Sequence, residues 1–124
     1  MRQVRSLAGA DILDVGTGSG VWGAAFAQSE PTARITYLDS EHVLTQVREN
    51  ITRLKLPNPA HYWAADCTAV DFGTGTFDLI LLPQIIPVLL PDEPAVFFER
   101  VARALRPGGL LVVSGYLLTD RRDG

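Results

Sequence analysis

The sequence has one cysteine, Cys67, and no basic cluster or apolar run of membrane-spanning length. A single cysteine excludes an internal disulfide and offers no spacing for metal ligands, so no metal site is predicted. The most apolar stretch, residues 79–90, is too short to cross a bilayer and is interrupted by Pro83 and Pro87. The amino terminus has no apolar segment of signal-peptide length. We therefore expect a soluble, cytoplasmic protein.

Charge and composition narrow the class of partner. The chain of 124 residues has a formal net charge of −3, and 47% of its residues are hydrophobic. This balance favours a single folded domain over residues 1–124 and argues against nucleic acid or a membrane as partner. Arg100, Arg103 and Arg106 recur every three residues, which is typical of a solvated helix face.

Short apolar segments alternate with amphipathic ones along the chain. The segments that predict strands are residues 11–16, 34–40, 61–67, 77–83 and 109–118. The segments that predict helices are residues 19–31, 41–57 and 92–109. In the second helix, which Ser40 can cap, the apolar residues that share one face are Val43, Val47, Ile51 and Leu54. Strands that are apolar on both faces and alternate with helices predict a doubly wound α/β fold, with a parallel sheet covered on both sides.

A glycine-rich turn follows the first predicted strand. In "ILDVGTGSG", the glycines Gly16, Gly18 and Gly20 have the spacing G-x-G-x-G. The dinucleotide motif G-x-G-x-x-G would place its third glycine at Val21 instead. Asp14, two residues before the turn, would repel a pyrophosphate and favours a ligand that carries an amine or a sulfonium.

Two more carboxylates end the second and third predicted strands. Asp39 follows Gly20 by about 20 residues, the distance expected for a carboxylate that accepts a ribose hydroxyl. Asp66 can accept a hydrogen bond from an exocyclic amine such as that of adenine. Either residue could instead be a simple helix cap or turn residue. Taken together with Asp14, they predict a site for a cationic adenosine derivative, namely S-adenosylmethionine.

Five motifs, "ILDVGTGSG", "YLDS", "AADC", "FDLILL" and "LRPGGLLVV", occur in this order and cover nearly the whole chain. In this pattern the sequence resembles the class I S-adenosylmethionine-dependent methyltransferases, and most closely their small-molecule O-methyltransferase branch. The resemblance implies a Rossmann-like parallel sheet with strand order 3-2-1-4-5. The residues that it assigns to the cofactor are Asp14, Gly16, Gly18, Gly20, Asp39, Asp66 and Cys67.

The resemblance also implies a role for each part of this site. The three glycines bring backbone against the methionine and ribose, and Asp14 supports the methionine amino group. Asp39 holds the ribose hydroxyls, Asp66 meets the adenine amine, and Cys67 lies beside the adenine ring. The end of the fourth strand, at Leu82 and Pro83, lies where the reactive methyl group points.

Two features depart from the family pattern. The resembling O-methyltransferases place a histidine base shortly after the fourth strand, whereas residues 83–91 contain no ionisable side chain. Gln84 can orient a substrate but cannot act as a base, so no catalytic residue is assigned. The chain also ends without the family's usual carboxyl-terminal antiparallel hairpin, which predicts a fragment, or an oligomer such as a homodimer that covers the edge of the fifth strand.

Three functions stay open from the sequence. The first is methyl transfer from S-adenosylmethionine to a small-molecule acceptor. The second is a cofactor-binding module with weak or no activity that works within a homo- or hetero-oligomer. A nicotinamide-dependent oxidoreductase is the third, and both Asp14 and the glycine spacing disfavour it.

Overall fold

The computed structural model describes residues 9–15, 20–66, 69–82, 94–113 and 116–118. The elements within these ranges are β1 (Asp11–Val15), α1 (Val21–Ser29), β2 (Arg34–Asp39), α2 (Glu41–Leu54), β3 (Ala60–Ala64), β4 (Phe77–Leu82), α3 (Pro94–Ala104), β5 (Leu105–Val113) and β6 (Tyr116–Leu118). The strands form one sheet in the order β3-β2-β1-β4-β5-β6. Neighbours among the first five strands pair in parallel, which confirms the predicted doubly wound fold and its order 3-2-1-4-5.

The carboxyl-terminal end of the sheet differs from the prediction. In place of one strand over residues 109–118, β5 is followed by a short strand, β6, that pairs with it antiparallel. Leu111 lies opposite Leu118, and Val113 lies opposite Tyr116. The apolar run is long enough to supply two strands, and their pairing satisfies backbone groups that an edge strand would expose. The prediction that β5 presents an unpaired edge was therefore wrong, whereas the expectation of an oligomer stays a prediction.

The third helix ends earlier than its sequence predicts. The carbonyl of Ala104 accepts a hydrogen bond from the amide of Thr76 at 2.8 Å, and Leu105 pairs with Phe77 at the start of β5. Pairing with the β4 side of the sheet thus draws the chain into a strand before Pro107. As a result, Arg106 lies on β5 and does not share a helix face with the two arginines before it.

Helix α2 begins as predicted and packs mostly as predicted. The hydroxyl oxygen of Ser40 accepts a hydrogen bond from the amide of Val43 at 3.3 Å, which is the expected cap. The buried residues of α2 are Leu44, Val47 and Ile51, so Leu44 is buried although it was not predicted to be, whereas Val43 is half-buried. Leu54, predicted on the buried face, is 45% exposed because the helix ends there, with Lys55 in the left-handed region at φ 55°.

Apolar side chains cover both faces of the sheet. The cluster on the side of α1 and α2 includes the buried residues Ile12, Ile35, Tyr37, Leu44, Val47, Ile51, Leu79 and Leu81. The cluster on the side of α3 includes Leu13, Val15, Leu38, Phe72, Phe77, Ile80, Leu82, Phe97 and Val101. Within the described ranges, no helix has the length and hydrophobicity that crossing a membrane requires.

Four charged side chains join the amino-terminal ends of four neighbouring strands. Asp11 on β1 bonds Arg34 on β2, with 2.6 Å between Oδ1 and Nε, and Arg106 on β5, with 3.0 Å between Oδ2 and Nη2. Arg106 also bonds Asp78 on β4, with 2.7 Å between Nη1 and Oδ2. The hydrogen-bonded guanidinium of Arg34, aided by that of Arg106, lowers the pKa of Asp11 although burial opposes the shift. We call these four residues the charged network.

Replacing Arg106 with glutamine is expected to lower the free energy of unfolding by about 1 kcal/mol at neutral pH, because the charged network is only partly exposed. Since the folded-state pKa of Asp11 is depressed, the network stabilises the fold fully above the unfolded pKa of about 3.9 and loses that contribution as the pH falls further. The difference in the free energy of unfolding between wild type and Arg106→Gln should therefore become smaller below about pH 4. Urea denaturation across pH 2.5–7 measures it. Arg53→Gln, which removes an exposed arginine from α2, is the control, and a gap independent of pH would refute the assignment.

Candidate functional site

The order of the strands reverses at β1. β1 lies between β2 and β4, so the chain leaves β1 toward one side of the sheet and later crosses from β3 to β4 on the other. Ligands of doubly wound folds bind outside the carboxyl ends of the strands at such a reversal. The candidate site is therefore the carboxyl edge of β1, β2 and β3, at the opposite end of the strands from the charged network.

Three predicted site carboxylates are placed along this edge. Asp14 is the second-last residue of β1, Asp39 is the last residue of β2, and Asp66 follows β3 by two residues. Neighbouring strands lie about 4.8 Å apart, so three adjacent strand ends span about 10 Å. The amide of Ala65 donates to the carbonyl of Asp39 at 3.1 Å, which ties the end of β3 to the end of β2. The sheet thus brings together three acids that are far apart in sequence.

The three acids differ in their surroundings. Asp39 is half-buried, and its Oδ1 accepts a hydrogen bond from the amide of Ser40 at 2.7 Å. Asp66 has an exposed side chain, and its carbonyl accepts from the amides of Ala69 and Val70, both at 3.0 Å, in the turn after β3. Asp14, by contrast, is 0% exposed. The edge therefore offers one carboxylate beneath the surface and two nearer to solvent.

Asp14 caps helix α1 from a neighbouring strand. The helix starts at Gly20, which has no side chain with which to cap it, and φ there is 83°. The carboxylate Oδ2 of Asp14 instead accepts a hydrogen bond from the amide of Gly23, three residues into the helix, at 3.1 Å. Amides of the first helical turn have no partner within the helix, and the helix dipole favours negative charge beside them. Asp14 therefore fixes the start of α1 against β1.

Gly20 has a backbone conformation that favours glycine, and Gly23 is a closely packed glycine that the sequence analysis missed. A positive φ of 83° is a conformation that favours glycine. At Gly23 an added Cβ would lie 2.6 Å from Cε1 of Tyr37 and 3.0 Å from Oδ2 of Asp14. The spacing Gly18-x-Gly20-x-x-Gly23 was the available signal, since the third glycine of such a motif serves close packing of helix on strand.

The remaining predicted site residues are divided between the described and the undescribed parts of the chain. Leu82 ends β4 and is buried. Gly16, Gly18, Cys67 and Pro83 lie outside the described residues. Among the described residues, no three histidine, cysteine, aspartate or glutamate side chains converge in a way that suits a metal ion.

Comparison with known protein families identifies the class. The model of the methyltransferase domain family matches residues 12–109, from within β1 to within β5. The chain belongs to this family, the S-adenosylmethionine-dependent class I methyltransferases with a Rossmann-like fold. The cofactor of the class is S-adenosylmethionine, and this decides against the nicotinamide alternative.

Individual relatives agree in domain and differ in acceptor. The chain is 36% identical over 112 residues to the ribosomal RNA large subunit methyltransferase G of Alcanivorax borkumensis, covering 86% of this chain and 28% of that protein. It is 32% identical over 117 residues to the ribosomal protein L11 methyltransferase of Sorangium cellulosum, covering 94% of this chain and 34% of that protein. The chain thus spans about a third of the length of these curated relatives. A crystal structure of the S-adenosylmethionine-dependent methyltransferase SibL superposes with a TM-score of 0.72 at 28% identity, covering 84% of this chain and 30% of that one.

The names of such relatives specify ribosomal RNA, a ribosomal protein and a phospholipid as acceptors. Family membership therefore identifies the cofactor of the class and leaves the acceptor open.

Proposed function

We propose that this chain binds S-adenosylmethionine along the carboxyl edge of β1, β2 and β3 and transfers its methyl group to a small-molecule acceptor. The observation that carries the proposal is the placement of Asp14, Asp39 and Asp66 on three neighbouring strand ends, beside the left-handed Gly20. The net charge of −3 favours a small acceptor over a polyanionic one such as RNA.

The described residues fit such a cofactor. Asp14 places a negative charge in a buried, poorly screened position near the carboxyl end of β1, where it favours an ammonium or sulfonium group. Asp39 provides a half-buried carboxylate for the ribose hydroxyls, and Asp66 provides an exposed one for the adenine amine. In this proposal Gly16, Gly18 and Gly20 supply the close backbone approach, and Cys67 lies beside the adenine ring.

The cofactor, when bound, supplies a methyl group activated by the neighbouring sulfonium. What this chain contributes is position: an acceptor held in line with the carbon–sulfur bond gains the effect of a high local concentration. Base catalysis typically adds 10²–10⁴-fold, and residues 83–91 carry no ionisable side chain to supply it. We therefore propose an acceptor that is already nucleophilic at neutral pH.

Replacing Asp39 with alanine is expected to weaken S-adenosylmethionine binding at least about tenfold, because hydrogen bonds to a charged group contribute about 1.5–3 kcal/mol. Titration calorimetry of the purified chain measures the affinity, with NAD as the ligand control. Glu49→Ala, which removes an exposed acid from α2, is the matched loss of charge and should leave the affinity unchanged. Equal binding by wild type and Asp39→Ala, or no binding by the folded wild-type chain, would contradict the proposed site.

A second candidate is a cofactor-binding module that works inside an oligomer with little or no turnover. The absence of an ionisable side chain from residues 83–91 favours it. Two measurements separate the candidates: release of S-adenosylhomocysteine with a panel of thiol, amine and phenol acceptors, and the molar mass in solution by light scattering. Tight cofactor binding without turnover of any acceptor, together with a stable complex, would favour the module.

A further inference from the structure

We propose that Gly23 is a positioning residue for the cofactor: it lets α1 approach β1 and β2 closely enough for Asp14 to hold the first helical turn, and so sets where the glycine turn ends. The ligand in this inference rests on the proposed function, whereas the packing does not. Gly23 itself does not contact the ligand in this proposal and acts through the residues around it.

The contacts at Gly23 leave no room for a side chain. A Cβ there would lie 2.6 Å from Cε1 of Tyr37, 3.0 Å from Oδ2 of Asp14 and 3.2 Å from Cγ2 of Ile35. The first of these atoms belongs to a buried aromatic ring that cannot move aside easily, because Tyr37 stacks on Tyr62 with ring centroids 5.7 Å apart. An alanine at this position must therefore push α1 away from the sheet.

Displacement of α1 would also shift Gly20, the last glycine of the turn. The helix begins at Gly20, where the carbonyl accepts a hydrogen bond from the amide of Ala24 at 2.9 Å. Gly20 is covalently joined to the glycine turn, and its own Cβ position lies 3.8 Å from the same Cε1 atom of Tyr37. The ring of Tyr37 thus lies next to the Cβ positions of both glycines, between the buried sheet and the start of the helix.

The hydrogen bond between Asp14 and Gly23 makes this packing specific for the site. The Cβ of an alanine would lie 3.0 Å from the oxygen that accepts the amide of the same residue, so relieving the clash lengthens the hydrogen bond. Both the helix start and the Asp14 carboxylate would shift together. A core substitution elsewhere would lower stability without moving either group.

The test compares Gly23→Ala with Val101→Ala, which truncates a buried residue of α3 on the other face of the sheet. Calorimetry with S-adenosylmethionine is expected to show at least tenfold weaker binding by Gly23→Ala, under conditions where both variants are folded. Val101→Ala should bind within about twofold of wild type. Hydrogen exchange of the α1 amides, measured without ligand, should be faster only in Gly23→Ala. Wild-type affinity in folded Gly23→Ala would overturn the inference.

The double variant Gly23→Ala/Tyr37→Leu keeps the test decisive if Gly23→Ala alone does not fold. With the aromatic ring removed, only the longer contacts with Asp14 and Ile35 remain, so the alanine should weaken binding less than tenfold relative to Tyr37→Leu alone. If the alanine weakens S-adenosylmethionine binding tenfold or more in the Tyr37→Leu background, the link through Tyr37 is overturned. A folded wild-type chain that binds no S-adenosylmethionine would defeat the proposed function instead, and hydrogen exchange would still decide the packing: unchanged α1 exchange in Gly23→Ala would overturn it.

Discussion

Replacement of Tyr37 by alanine is expected to lower the free energy of unfolding by about 3–5 kcal/mol, the range for removing a buried aromatic side chain. Tyr37 lies on β2, is fully buried, and stacks on Tyr62 of β3 with an angle of 17° between the ring planes. Burial, with a contribution from the charge of Asp14, raises the pKa of its phenol far above the ordinary range, so the side chain stays neutral. Because domains are stable by only about 5–15 kcal/mol, the loss would consume a large part of the total.

Guanidinium denaturation followed by far-ultraviolet circular dichroism measures this effect. Tyr62→Ala is the matched control, since its half-buried ring takes part in the same stack and lies beneath the guanidinium of Arg48 at 5.0 Å. We expect the control to lose less stability than Tyr37→Ala. Equal losses in the two variants would show that the stack, and not the burial of Tyr37 against α1, carries the stability.

Replacement of Asp14 by alanine should cost about 2–3 kcal/mol of stability, because it removes a charged acceptor and leaves the buried amide of Gly23 without that partner. The start of α1 would also lose a negative charge that favours the helix dipole. If the proposed function is right, affinity for S-adenosylmethionine falls as well, since the same carboxylate supports the cationic ligand.

Asp14→Asn separates these two effects. The amide oxygen of asparagine can still accept the hydrogen bond from Gly23, so we expect most of the stability to return. The charge does not return, and the affinity for the cofactor should remain below that of wild type. Denaturation and calorimetry on the three proteins give both quantities. An asparagine variant as unstable as the alanine variant would contradict the capping role.

The sequence predicted the strands that are buried on both faces, because continuous apolar runs such as those of β1 and β4 need burial on both sides. It predicted the acids at the strand ends for a related reason: a polar residue that follows an apolar run marks the edge of the sheet. It did not predict Gly23, whose importance depends on Tyr37, a residue 14 positions later that only the folded sheet brings to it. Close approach between two elements depends on how they pack in the fold, and the glycine is its only signal in the sequence.

The carboxyl-terminal strands show the opposite limit. Residues 109–118 contain Ser114-Gly115 between two apolar parts, a dipeptide typical of turns, and the prediction of one long strand did not use this signal. Pairing of β6 with β5 is decided by backbone groups at the edge of the sheet, and backbone groups carry no sequence signal. The end of α3 was misplaced for the same reason, because the hydrogen bond between Thr76 and Ala104 joins residues distant in sequence.

The charged network at the amino-terminal edge affects how charged ligands associate with the carboxyl edge of the sheet. Its two aspartates and two arginines sum to zero charge, so at a distance their fields largely cancel. The acids at the carboxyl edge therefore face approaching ions without competition from Asp11 and Asp78. A diffusing cation is therefore attracted to the carboxyl edge of the sheet. Added salt should lower its association rate more than its dissociation rate.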